Sequence, residues 1–247
     1  SLNMKIARNK ILFNEVYVVL NKNKSDCRLK FLYIEMSNMN ADLIKSVFLG
    51  ISQPLKIQLG DTTSIASPCS MSLNIVNCKF IKNLGSIRGV IYIHIPPGKN
   101  AFNGAKLSIF DSHFYANVVK KTGLIYVNIE PSHIDLNFTI IGSSFTYNRG
   151  SFGVVVHVIS KSKENSIFID IHSCHFEHNI ANEHTSVMFI HNIMHLYIED
   201  SDFSNNYVLN PEQEKAGLVA CVLVYVQLIN ITVRVHSKSM ANYKVMD

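Results

Sequence analysis

The chain predicts an all-β fold, a parallel β-helix solenoid with three short strands per coil. Three observations carry this. One motif recurs five times: an apolar residue, x, Ile, two residues, Ser or Cys, x, Phe, two residues, Asn. Its Phe falls at positions 80, 114, 145, 176 and 203, in steps of 34, 31, 31 and 27 residues, a period that belongs to stacked repeats. Within each copy apolar and polar residues alternate with period two, which makes strands, and no stretch has helical periodicity long enough for a crossover helix. A propeller blade needs four strands in roughly 40–50 residues, more than this unit holds.

Residues 1–66 are strand-rich but irregular, and no full repeat is visible there. Ile11–Leu20 and Leu29–Met36 read as strands, separated by the polar turn Asn21–Asp26. Ala41–Leu49 is ambiguous between helix and strand. Leu55–Leu59 alternates and stops at Gly60-Asp61. Five regular repeats occupy residues 70–228, and 229–247 form a terminal strand and a polar tail. The whole, 1–247, reads as a single domain. An opening Ser in place of Met suggests a fragment of a longer protein.

Within the second copy, Leu107, Ile109, Ser112 and Phe114 are expected to point inward, and Ser108, His113 and Tyr115 outward. A break in alternation places a corner at Phe110-Asp111, and Asn117 falls at the next. Stacked coils put equivalent residues about 4.8 Å apart. Phe80, Phe114, Phe145, Phe176 and Phe203 should therefore stack in the core. Asn83, Asn117, Asn148, Asn179 and Asn206 should form an amide ladder, Asn also tolerating a left-handed corner. These ten residues are read as structural, with no catalytic role.

At 47% hydrophobic and 17% charged, the chain can bury a large core. Its formal charge of +5 comes from Lys and Arg spread along the sequence, with no basic cluster or recognition motif, so no nucleic-acid partner is expected. Five Cys fit no metal or redox spacing. Cys78 and Cys174 sit in the inward Ser slot, three coils or about 14 Å apart, too far for a disulfide. The longest apolar run, Gly217–Val226, is too short to span a bilayer and falls at a strand position.

Phe-x-x-Asn followed by Gly and an aliphatic resembles the FxxN…GGA(I/L/V) repeat of polymorphic outer-membrane autotransporter proteins. More loosely, it resembles the β-helix repeats of the pectin-lyase-like superfamily. The FxxN half matches in all five copies. The Gly half is degenerate: Gly89-Val90, Gly123-Leu124, Gly153-Val154, Ser186-Val187 and Gly217-Leu218. The resemblance covers about residues 70–228 and implies a right-handed parallel β-helix in a secreted or cell-surface setting. Three sequons, at Asn23, Asn137 and Asn230, are compatible with that setting.

Six histidines, His172, His175, His178, His184, His191 and His195, lie within 24 residues. On strands they fan apart and are not expected to bind metal. His172/Glu199 and His175/Asp202 are instead plausible cross-rung pairs, about 5 Å apart. The enzymes of the resembled superfamily carry Asn-Thr-Asp, Asp-Asp, Gly-His-Gly and Arg-Ile-Lys signatures, and these are absent. The best candidate binding face is the outward patch Tyr92, His94, Tyr126 and Asn128, on equivalent strands of adjacent coils, where Tyr could take the place of the missing Trp in stacking on sugars. The expected function is a non-catalytic extracellular module for adhesion, binding glycan or protein, with no cofactor. The alternative is a divergent polysaccharide lyase or hydrolase with a groove on the β-helix.

Overall fold

The computed structural model describes residues 2–7, 10–19, 32–37, 39–51, 55–59, 70–85, 87–95, 102–130, 134–162, 165–183, 185–193, 195–209, 222–225, 232–236 and 243–246. Cys27, Cys69, Cys221, His184, the sequons at Asn23 and Asn230, and the inserted loops at 96–101 and 210–215 lie outside the described residues.

Four parallel sheets run along a common axis. Sheet A has nine strands, from Leu2–Ala7 to Tyr243–Met246; sheet B has eight, from Lys10–Asn14 to Thr232–His236. Sheet C has seven, from Tyr17–Val19 to Asp202–Ser204. Sheet D has five strands of two residues each, from Leu84–Gly85 to Tyr207–Val208. The chain visits A, B, C and D in turn, and each strand pairs with its equivalent one coil later. Leu107, for example, lies between Leu73 and Phe138. The molecule is an all-β parallel solenoid in which about five turns carry all four strands. The fourth strand is an addition to the three expected per coil.

The inward positions behave as alternation requires. Leu107, Ile109, Ser112 and Phe114 are all fully buried, and the core is one large cluster of buried residues with a small second one of Val154, Ala181 and Val208. His113 and Tyr115 are exposed. Ser108 departs from expectation: in register with Asn74 and Thr139, it is nevertheless fully buried with its hydroxyl unpaired.

The Phe rings stack in file at 4.7, 4.7, 5.2 and 4.5 Å from Phe80 to Phe203. The file extends one coil further back, since Phe48 stacks on Phe80 at 4.9 Å. The ambiguous stretch Ala41–Leu49 therefore resolves into strands: Met39–Ile44 joins sheet B and Val47–Leu49 joins sheet C. Ala41, Leu43, Ser46 and Phe48 fill the inward positions of the repeat and are all buried. Ile51 stands where Asn would be, which hides the copy in the sequence, and only its backbone N–H reaches the ladder, at Asn83 Oδ1.

The ladder itself leaves no amide group idle. Asn148 Oδ1 accepts both the backbone N–H and the Nδ2 of Asn117, each at 3.0 Å. Asn148 Nδ2 donates to Phe114 O at 3.0 Å and to Asn179 Oδ1 at 2.9 Å. The same four contacts recur at Asn117 and Asn179. The left-handed corner is not at the Asn, however. It belongs to the residue before: Lys82, Ala116, Tyr147, His178 and Asn205 have φ between 51° and 58°. That residue bends the chain so that the Asn side chain can turn inward to its stack.

A second ladder runs through the Ser slot. Ser112 Oγ accepts the backbone N–H of Cys78, and Ser143 Oγ that of Ser112, both at 3.1 Å. Each hydroxyl donates to the carbonyl two residues before it. Cys174 sits in the same column, its thiol against His172 O at 3.2 Å, and burial pushes the thiol up to about 11. Buried thiols with so little thiolate are inert. Cys174 should resist alkylation in the native protein and react once the protein unfolds. Cys174→Ser restores the repeat's own residue and should shift stability by less than about 1 kcal/mol. A thermal melt and mass-spectrometric labelling check both, and fast native labelling would contradict the buried ladder.

Candidate functional site

The outward face of sheet A collects what the sequence scatters over four coils. Tyr92, Tyr126, His157 and Phe189 occupy one register column. Their ring centroids are 5.4, 5.1 and 4.9 Å apart along the axis. The Arg88 guanidinium covers Tyr92 at 5.2 Å, and Phe152 flanks Phe189 at 6.1 Å. In the next column out, His94 is in register with Asn128. Asn128 Nδ2 lies 3.3 Å from His94 Nδ1 and donates to Glu130 Oε1 at 3.1 Å. Glu130 in turn is paired with Lys161 at 2.7 Å.

The structure thus brings Tyr92, His94, Tyr126 and Asn128 together, but not as an open stacking platform. Tyr92 is only 5% exposed, its ring between Arg88 and Tyr126. What the face presents is ring edges and a polar fringe of His94, Asn128, Glu130 and Lys161. Burial raises the Tyr92 and Tyr126 phenols and lowers the His94 imidazole. The hydrogen bond from Lys161 holds Glu130 below the usual carboxylate range.

His157 was not singled out from the sequence. It replaces the Tyr of the two preceding coils and is 5% exposed, with neither ring nitrogen hydrogen-bonded. Burial pushes it down to about 4, against a weak upward pull from the Phe152 backbone, which lies near without hydrogen-bonding geometry. The neighbouring glycines explain how the chain folds tightly over this face. A Cβ on Gly153, where φ is +47°, would lie 2.4 Å from the Phe189 nitrogen. Ile125 is in register with Val156, so Gly153 stands one residue out of register with Gly123.

The histidine group on sheets B and C is arranged in pairs. His172 Nδ1 is 3.2 Å from Glu199 Oε2, and His175 Nδ1 is 3.1 Å from Asp202 Oδ2. Glu177 adds a link absent from the sequence reading: its oxygens meet His175 Nε2 at 3.2 Å and His178 Nε2 at 3.4 Å. Glu177 and Asp202 therefore face one imidazole from opposite nitrogens. His191 instead approaches Ser160 O at 3.3 Å, and His195 lies 3.8 Å from Asp170. Among the described residues no three His, Cys, Asp or Glu are gathered to hold a metal ion, and no helix is long and apolar enough to cross a membrane.

What the fold and this face define is a parallel β-solenoid with a half-buried aromatic file and a charged fringe. No family model, curated protein or solved structure matches the chain.

Proposed function

We propose that the chain is a non-catalytic extracellular module of pectin-lyase-like type that binds a glycan along the outer face of sheet A. One observation carries the reading: Tyr92, His94, Tyr126 and Asn128 join Glu130 and Lys161 in a single surface that runs along the axis. Its mixed donors and acceptors suit the hydroxyls of an extended sugar chain. The ring faces are largely covered, so recognition rests on hydrogen bonds at the edges. Asn128→Ala and Lys161→Ala remove two of these groups with little disturbance of the core. On a glycan array each should weaken binding about tenfold, the scale of one hydrogen bond to a charged or well-placed group. An array on which the wild type binds and both variants bind as well would move the site elsewhere.

A second reading, a divergent polysaccharide hydrolase, is favoured by Glu177 and Asp202 flanking His175. A depolymerisation screen with Glu177→Gln and Asp202→Asn decides between the two. Turnover by the wild type that both substitutions abolish would replace the non-catalytic reading, whereas binding without turnover supports it.

A further inference from the structure

Lys82, Arg88, Lys120, Lys121 and Arg149 are far apart in sequence but lie on or beside three stacked strands of sheet D, Leu84–Gly85, Val118–Val119 and Arg149–Gly150. The sequence segments around these strands, 82–88, 115–122 and 146–152, contain no Asp or Glu. The five cations equal the whole formal charge of the chain, which is +5, so the remaining residues hold 18 bases against 18 acids. Four of these cations, Lys82, Lys120, Lys121 and Arg149, are exposed beside the strands of sheet D. Arg88 is engaged with the Tyr92 ring, but Lys82, Lys120, Lys121 and Arg149 have no carboxylate partner among the described residues.

The same face is apolar at its centre. Leu84 and Val118 are in register on adjacent strands, and they are 58% and 40% exposed. Ile87 is 53% exposed, on the loop tied to the next coil by the Thr122 hydroxyl at its carbonyl. Tyr115 and Tyr147 stand at the adjoining corner, edge to face at 5.8 Å and about half exposed. Single exposed apolar residues are ordinary, but Leu84 and Val118 adjoin each other, and Arg149 is in register beside Val118.

We infer that this face docks on a membrane surface containing anionic lipid. The cations answer the headgroup charge, and Leu84, Ile87 and Val118 enter the boundary with the acyl chains. Nucleic acid or an acidic polysaccharide would meet the same charge. Neither gains from exposed Leu, Ile and Val, which cannot stack on a base and form no hydrogen bond to a sugar. Leu84 and Val118 stand side by side on adjacent strands of sheet D, with Ile87 on the turn that follows the first of them. The inference does not depend on the glycan site, which lies on sheet A.

The test is co-sedimentation of the full chain with vesicles of phosphatidylcholine, alone or with about a third phosphatidylserine. Binding to the anionic vesicles and not to the neutral ones is expected, weakening as salt rises. Lys120→Glu with Lys121→Glu should weaken it more than about tenfold, since each cation near such a surface counts for about fivefold. Leu84→Ser with Ile87→Ser, which leaves every charge in place, should also weaken it about tenfold. All four residues are exposed, and circular dichroism verifies that the variants fold. Vesicle binding that survives Leu84→Ser with Ile87→Ser overturns the inference. So does retention on heparin or RNA without vesicle binding, or failure to bind any of them. Asn128→Ala should keep full vesicle binding, which separates this result from failure of the glycan reading.

Discussion

Asn148→Ala should destabilise the protein by about 4 kcal/mol or more. The substitution removes the acceptor of the Asn117 backbone N–H and of Asn117 Nδ2, and the donor to Phe114 O and Asn179 Oδ1. Asn148 is fully buried, so the partners left behind have no water to turn to. Each stranded buried group costs about 1–3 kcal/mol. Asn148→Asp provides the control for size. It keeps the shape but has no hydrogens to give, so its second oxygen faces the Phe114 carbonyl and the Asn179 oxygen. It should be no better tolerated than Ala. Asn206 lies at the far end of the described ladder and is only partly buried, so Asn206→Ala should cost less, about 1–2 kcal/mol. Denaturant titration followed by circular dichroism gives the comparison. Losses below about 1 kcal/mol at Asn148 would mean that the Phe file and the sheets alone hold the coils in register.

Stability should fall as the pH drops from about 6.5 to about 4, and His157→Phe should remove that part of the fall. The folded state holds the His157 imidazole down to about 4, through burial without a hydrogen-bond partner. The unfolded chain binds the proton at its ordinary value of about 6.5. Below 6.5 the unfolded state therefore gains protons that the folded state refuses, and unfolding is favoured. The loss accumulates across that window and levels off below about 4, reaching about 3 kcal/mol in all. Phe at this position keeps a ring between Tyr126 and Phe189 and has no nitrogen to leave unpaired. The difference between wild-type and variant melting temperatures at pH 7 and pH 5 isolates this group from the surface histidines. Parallel curves for the two proteins would show that His157 finds a proton acceptor in the folded state.

Legibility followed the length of the pattern. The Phe and Asn positions are separated by nearly constant steps, and any parallel stack must place them over one another, so the file and the ladder could be read directly. The cross-rung pairs His172/Glu199 and His175/Asp202 follow from the same register, and both contacts are present. The sheet D strands are two residues long, too short for period-two alternation to register. The Phe48 coil was hidden by Ile51 at the Asn position. The left-handed residue could not be assigned from composition, because Lys, Ala, Tyr, His and Asn all occupy it. Its conformation is imposed by the inward turn of the Asn beside it.

The candidate surfaces divide in the same way. Tyr92, His94, Tyr126 and Asn128 were visible because equivalent strands must bring them together. His157 and Phe189 were not, since nothing in a single strand says that a loop residue such as Phe152 will pack against the outward rings of its own coil and the next. Glu177 lies two residues from His175 on the same strand, where side chains share a face, yet the link to His178 runs around a corner that only the folded chain supplies.

A stack of β-coils with a Phe file and an Asn ladder was written into the order of residues, because repetition at one period leaves a parallel stack few alternatives. Where the charge lies, which rings keep an open face and which histidine is sealed from water emerged only on folding. These depend on side chains from different coils meeting across about 5 Å, at separations of some 30 residues that no local pattern encodes.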